Sequence, residues 1–248
     1  MIYNPYPSIK FPFGDDNKYF FWLFEAIRRV NIKYIKYEHE ASNGGIDYVL
    51  HIERVFAYEL YRQWGNIINS TGEDLVLNGE IGKTLMDEAI IVSTSDDSES
   101  ASNQKEKELN LYPDLVLHHS QGDDTAQIQI CEIKRNKGIT GSAILGDLYK
   151  LSCYLDQNKY HSEYKNPFKY GIFIIVDGTL KVILENLKLD SHVKLKDVTD
   201  YTLGNFIRDR SGFFGNIVCV SYDGTNLEYE LLSELIKFIV TKSKNTKE

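Results

Sequence analysis

Asp114, Glu132 and Lys134 are the residues of this chain whose types and spacing could do chemistry. They lie in the stretch from Leu111 to Arg135, LYPDLVLHHSQGDDTAQIQICEIKR. Two alternating apolar segments flank Ser120 to Asp124, a turn rich in Gly and Asp, which predicts a β-hairpin. Pro113 is tolerated where the first strand begins, because no ladder donor is needed there. In the second strand Ile128, Ile130, Glu132 and Lys134 share one face, since strand side chains alternate with a period of two. That face begins apolar and ends in a carboxylate and an ammonium. Charge that continues a buried face is costly without partners, and a divalent metal would supply one. Hard cations such as Mg²⁺ take one or two carboxylates, with waters and phosphate oxygens completing the shell. The hairpin brings Asp114 and Glu132 to one end of a sheet, with Lys134 placed to stabilise charge developing on an attacking water or a phosphate. The other reading of these residues is a surface hairpin ending in an ordinary Glu/Lys pair.

The elements that must position this hairpin can be read along the chain. Residues 1–14 are rich in Pro, Tyr and Phe and read as an extended arm. Asp15 or Asp16 then caps a helix, whose stripe is Phe20, Leu23, Phe24, Ile27 and Val30. Ile32 to His39 reads as a strand. A second helix runs from about Tyr48 to Trp64, with Ile52, Phe56, Leu60 and Trp64 inward; Glu53 falls near that face and Glu59 points away from it. Asp74 to Leu85 reads as a short strand followed by an Asn78-Gly79 hairpin turn. Residues 93–110 are polar and acidic and are expected to form a mobile loop. After the hairpin, a helix from about Gly141 to Gln157 carries the stripe Ile144, Leu148, Leu151 and Leu155. Asp147 and Lys150 stand three apart and can meet on its surface. Lys169 to Asp177 and Asn216 to Tyr222 read as buried strands. Leu180 to Leu187 fits a strand or a helix, and Leu227 to Val240 an amphipathic helix.

Pro113-Asp114 followed by Glu132-Ile133-Lys134 resembles the signature of the PD-(D/E)XK nuclease superfamily, over roughly residues 53–177. The resemblance implies an α/β fold, a restriction-endonuclease-like mixed sheet flanked by helices. Residues 1–45 then form an N-terminal helical extension and residues 46–248 the core domain. It implies that Asp114 and Glu132 hold Mg²⁺ or Mn²⁺ and that Lys134 places or activates the water. In this family a helix ahead of the PD strand often adds a carboxylate. Glu53, in the run HIERVFAYEL, matches that position, and Glu80 is a second candidate. Arg135, Lys137 and Lys150 are expected at nucleic-acid phosphates. Asp147, Lys150 and Tyr154, on the helix after the ExK strand, match residues that in this family support the site or touch the backbone; the alternative is a solvated Asp147/Lys150 pair. The implied activity is a divalent-metal-dependent phosphodiesterase, a DNA endonuclease of defence or DNA repair, with DNA as partner and a homodimer as one arrangement. The alternative is a catalytically inactive nuclease-fold protein acting as a binding or scaffold module. A toxin or defence component that needs a separately encoded partner is a third reading.

Composition sets the outer bounds. The 248 residues suffice for one large domain with a sizeable core. Hydrophobic content of 42% and charged content of 26% are in the globular range. Cys131, Cys153 and Cys219 form no CxxC pair, which fits buried thiols in a reducing compartment. The first residues lack the basic-then-apolar pattern of a secretory leader, and no apolar stretch is of membrane-spanning length, so the expectation is a cytoplasmic protein. The net charge of −8 opposes a broad non-specific grip on nucleic acid without excluding a local basic patch. His118-His119 lacks the further ligands of a zinc site. No GxxxxGK[ST], GxGxxG or GxSxG motif is present, which leaves nucleotide-binding, dinucleotide-redox and serine-hydrolase readings without support.

Overall fold

The computed structural model describes residues 12–35, 52–79, 113–119, 127–157, 167–188 and 198–245, with strand backbone also at 38–40, 46–48, 90–92, 107–109 and 192–195. The helices are α1 (Asn17–Arg29), α2 (Ile52–Thr71), α3 (Gly141–Tyr154), α4 (Lys181–Asn186), α5 (Leu203–Arg210) and α6 (Leu232–Asn245). The central sheet is built from β3 (Leu75–Gly79), β6 (Leu115–His119), β7 (Gln129–Arg135), β8 (Tyr170–Val176), β11 (Ile217–Tyr222) and β12 (Leu227–Leu231). Three antiparallel pairs lie outside it: β1 (Glu38–Glu40) with β2 (Ile46–Tyr48), β4 (Ile90–Val92) with β5 (Lys107–Leu109), and β9 (His192–Leu195) with β10 (Val198–Thr202).

The six-stranded sheet is mixed, in the order β12-β11-β8-β7-β6-β3. Strands β7, β8 and β11 are parallel, and the remaining pairings are antiparallel. The sequences YGIFIIV and IVCVSY of β8 and β11 are apolar almost throughout because both faces of the sheet are covered. On one face α1 and α2 insert Phe20, Phe24, Phe56, Leu60 and Trp64 against Cys131, Ile133, Ile172 and Ile174. On the other, α3, α5 and α6 insert Leu148, Leu151, Phe206 and Leu235 against Ile130, Phe173, Ile175 and Cys219. Helix α1 is thus a wall of the core. No helix among the described residues is long and apolar enough to cross a membrane. The three cysteines are buried and form no disulfide.

Several elements differ from the sequence reading. Asp16 makes no side-chain cap; its carboxylate instead accepts from Tyr170 Oη and Lys169 Nζ. Ile32–Tyr34 is a short 3₁₀ turn, and the strand expected there begins only at Glu38. Helix α2 continues past Trp64, and Glu59 is buried because Arg62 and Gln63 of its own helix hydrogen-bond to it. Asn78-Gly79 is not a turn but the end of β3, opposite Val116 and Leu115. A Cβ at Gly79 would sit 3.3 Å from the Tyr61 ring, a close contact that glycine avoids. Ile128 precedes β7 and joins the core under α2, so only Ile130, Glu132 and Lys134 share the α3 side. Lys107–Leu109, within the expected mobile loop, is strand β5. Residues 93–106, the Ser120–Asp124 turn and Glu80 lie outside the described residues. Leu180–Leu187 contains helix α4, and Leu227–Leu231 is strand β12 because Leu227, Tyr229 and Leu231 alternate with two glutamates before the helical period starts.

Candidate functional site

The residues of interest meet at the C-terminal end of β7. Asp114 immediately precedes β6, and its backbone N donates to Cys131 O at 3.0 Å. Its Oδ2 accepts from Ile133 N at 2.7 Å. The side chain therefore extends the antiparallel ladder by one bond, and register places Asp114 across from Glu132. Helix α3 starts at a side-chain cap, Thr140 Oγ1 accepting from Ala143 N at 3.2 Å. From that start Asp147 and Lys150, three apart, both turn toward β7. Glu53 sits in the first turn of α2, on the opposite side of the sheet.

These side chains form an alternating chain of charges. Lys150 Nζ lies 3.1 Å from Glu132 Oε2 and 2.6 Å from Asp147 Oδ1. Lys134 Nζ lies 3.4 Å from Asp147 Oδ2 and 3.5 Å from Glu53 Oε1. Glu53 Oε2 accepts from Arg135 N at 3.4 Å. Side-chain exposure rises along the chain, from 2% at Glu132 and 6% at Asp147 to 28% at Lys134 and 41% at Glu53. Glu132 Oε1 is buried and accepts no hydrogen bond; Asp147 Oδ2 accepts none either and has only the ion-pair approach of Lys134.

Burial pushes the Glu132 carboxyl up to about 8; Lys150 and Lys134 oppose this, and the nearby Asp147 and Asp114 reinforce it. Burial alone would lower the Lys134 ammonium, but Asp147, Glu53, Glu132 and Asp114 together raise it above its ordinary value. The Lys150 ammonium is raised in the same way by Glu132 and Asp147, against burial. Both lysines are therefore cations at neutral pH.

Asp114, Glu132, Lys134, Glu53, Asp147 and Lys150 are brought together. Lys150, expected at phosphates, instead directs its ammonium inward to Glu132 and Asp147. Arg135 takes part through its backbone N–H, and Lys137 is exposed in the loop after β7. Tyr154 is one turn beyond Lys150, buried edge-on to Phe168 in the core. Glu80 is not placed. Among the described residues no three His, Cys, Asp or Glu side chains form a ready-made ligand group. His118 pairs with Asn78 and with its neighbour's carbonyl. Sequence reasoning missed Asn136, whose Nδ2 donates to Asp177 O at 2.9 Å and ties the loops after β7 and β8 together. No local sequence signal marks it, because its partners are 41 and 42 residues away: Gly178 has no room for a Cβ beside Asn136, and Asp177 takes a positive φ. Comparison with known proteins gives no significant match to a family model, a curated protein or a solved structure.

Proposed function

We propose that the protein is a divalent-metal-dependent phosphodiesterase that cuts nucleic acid, with DNA as the favoured substrate, on a restriction-endonuclease-like core. One observation carries the reading. Asp114, immediately before β6, lies across from Glu132 of β7 when the β6–β7 register is continued by one pair, Lys134 follows Glu132 on the same strand face, and Glu53 joins from α2, all at one end of the sheet. Open sheets of this kind bind ligands beyond the carboxyl ends of their parallel strands.

The residues fit a hard divalent ion. Asp114 and Glu132 would hold it, with water and phosphate oxygens completing the shell. Glu132 Oε1 is a buried acceptor without a donor, an arrangement that burial penalises and a cation would relieve. With Glu132 ionised, the carboxylates Glu53, Asp114, Glu132 and Asp147 outnumber Lys134 and Lys150 by two; the proton that burial favours on Glu132 would be given up on binding a doubly charged ion. Such an ion lowers the pKa of a bound water and offsets charge on the phosphate.

The chain's own groups do the rest. Asp114 is immobilised by Ile133 N, so its carboxylate needs no ordering when a ligand arrives. Lys134 is held between Asp147 and Glu53 at the more exposed end of the site, where its ammonium can meet the phosphate and stabilise the charge that develops on it. Asp147 orients both lysines. Exposed Lys137 is placed to meet a neighbouring phosphate.

The scaffold reading is favoured by one feature, the bonding of Lys150 to both Glu132 and Asp147, which compensates these buried carboxylates without a metal. Plasmid nicking and Mn²⁺ calorimetry on the wild type and Asp114→Ala separate the two. The nuclease reading expects metal binding and nicking in the wild type and loss of both in the variant. A wild type that binds no metal in the presence of DNA leaves the scaffold reading.

A further inference from the structure

Lys150 stands where a metal-binding site wants a cation. Its ammonium is shared between Glu132 and Asp147, two carboxylates with side chains 2% and 6% exposed. Lys134, though on the same strand as Glu132, directs its own ammonium outward to Asp147 and Glu53. Lys150 is thus the ammonium in contact with the most buried carboxylate of the site. We propose that Lys150 is a built-in counter-ion that keeps the metal-free site folded and competes with the divalent ion for Glu132, and so sets the affinity of the site for metal. The inference rests on the metal-dependent reading above.

Three features support it. Lys150 has a second carboxylate, Asp147 Oδ1 at 2.6 Å, to which it stays bound if it releases Glu132. The flexible four-carbon lysine stem allows that shift by rotamer change alone, with no movement of α3. Glu132 also keeps Oε1 without a hydrogen bond while Oε2 takes Lys150, so the lysine satisfies only one of the two carboxylate oxygens and leaves the other for a second cation.

The direction of the effect follows from charge. Lys150 repels anything positive that binds Glu132, including a proton. Coulomb repulsion scales with the product of charges, so a divalent ion is opposed about twice as strongly as a proton at the same place. Removing Lys150 makes Glu132 hold its proton more tightly, yet favours the divalent ion by more than it favours the proton. The net change is tighter metal binding.

The test is Mn²⁺ calorimetry at pH 7.5 on the wild type, Lys150→Met and Lys150→Gln, with melting temperatures measured with and without Mn²⁺. Methionine keeps much of the apolar stem, and glutamine keeps a polar end should the methionine variant fold poorly. The expected result is Mn²⁺ binding about tenfold tighter or more in the variants, a lower melting temperature without metal, and a larger rise when metal is added. Binding seen only in the variants is the same result in its strongest form. A wild type that binds Mn²⁺ as tightly as the variants, or more tightly, overturns the role of Lys150 and leaves the proposed function standing. No binding to any of the three proteins overturns both.

Discussion

Replacing Glu132 by glutamine makes the sharpest prediction, because this carboxyl is the deepest charge in the site. Its proton affinity rises from an ordinary carboxyl pKa of 4.5 to about 8 on folding, with burial as the main cause. The folded state therefore holds the proton more tightly than the unfolded chain does. The stability this adds is fully present below about pH 4.5, falls as pH rises, and is lost above about pH 8. At about 1.4 kcal/mol for each tenfold change in proton affinity, the whole effect is about 5 kcal/mol, with the opposing pull of Lys150 and Lys134 already included. Lys134 and Lys150 have raised proton affinities, so their contributions are lost only in more alkaline solution, outside this window. Glu132→Gln removes this ionisation and with it the Glu132 share of the slope.

The assay is urea unfolding of the wild type and Glu132→Gln in metal-free buffer at pH 5, 7 and 8.5. The wild type is expected to lose about 2–5 kcal/mol relative to the variant between the first and last of these. An amide N–H that finds no acceptor would shift the variant by a constant amount, so the comparison is one of slopes. Parallel pH curves for the two proteins would refute the reasoning, since they would mean that Glu132 titrates alike folded and unfolded.

Three further changes probe the site and its supports. Lys134→Met is expected to lower nicking by about 100-fold or more without weakening Mn²⁺ binding, read by plasmid assay and calorimetry, because it removes charge stabilisation and no metal ligand. Arg210→Met is expected to cost about 3–5 kcal/mol in urea unfolding. It removes a buried guanidinium that bonds Ser152 Oγ at 3.0 Å, Ser152 O at 2.6 Å and Asp156 Oδ2 at 2.5 Å, joining α5 to the end of α3. A loss below 1 kcal/mol would show that this staple is not needed. Gly178→Ala places a Cβ 2.8 Å from Asn136 Cβ and is expected to cost about 1–3 kcal/mol as the loops after β7 and β8 part; an unchanged unfolding midpoint would contradict this.

Where period and burial agree, the sequence was legible. The stripes of α1, α2 and α3 and the apolar runs of β8 and β11 could be read because both faces of the sheet are covered. Period two in CEIKR correctly separates Cys131 and Ile133 on one side from Glu132 and Lys134 on the other. Local pattern failed where a distant contact decides. Asn78-Gly79 has the composition of a turn, but pairing with Val116 and Leu115 of β6 makes it the end of a strand. Glu59 has the position of a solvent-facing residue, but Arg62 and Gln63 cover it. Asp147 and Lys150 read equally well as a surface pair or a supporting pair, because nothing in α3 alone says that β7 runs beneath them with a carboxylate. That choice is made only when the parallel crossover from β7 to β8 lays α3 across the sheet.

The same crossover explains the order of charges. A strand rises about 3.3 Å per residue, so Lys134 lies about 6.6 Å beyond Glu132 on the same face. That separation places one charge under α3 and the next near the open rim. Glu53 reaches the rim from the α2 side and holds the outer lysine, and Asp147 spans the distance between the two lysines. The deep half is thus acidic and poorly satisfied, while the shallow half presents a fixed ammonium to solvent. A divalent ion belongs to the first environment and a phosphate to the second. Moving Glu132 by one residue along β7 would turn it to the opposite face, into the apolar core beside Cys131 and Ile133 under α2, so the two-residue spacing of Glu132 and Lys134 keeps both charges on the α3 side.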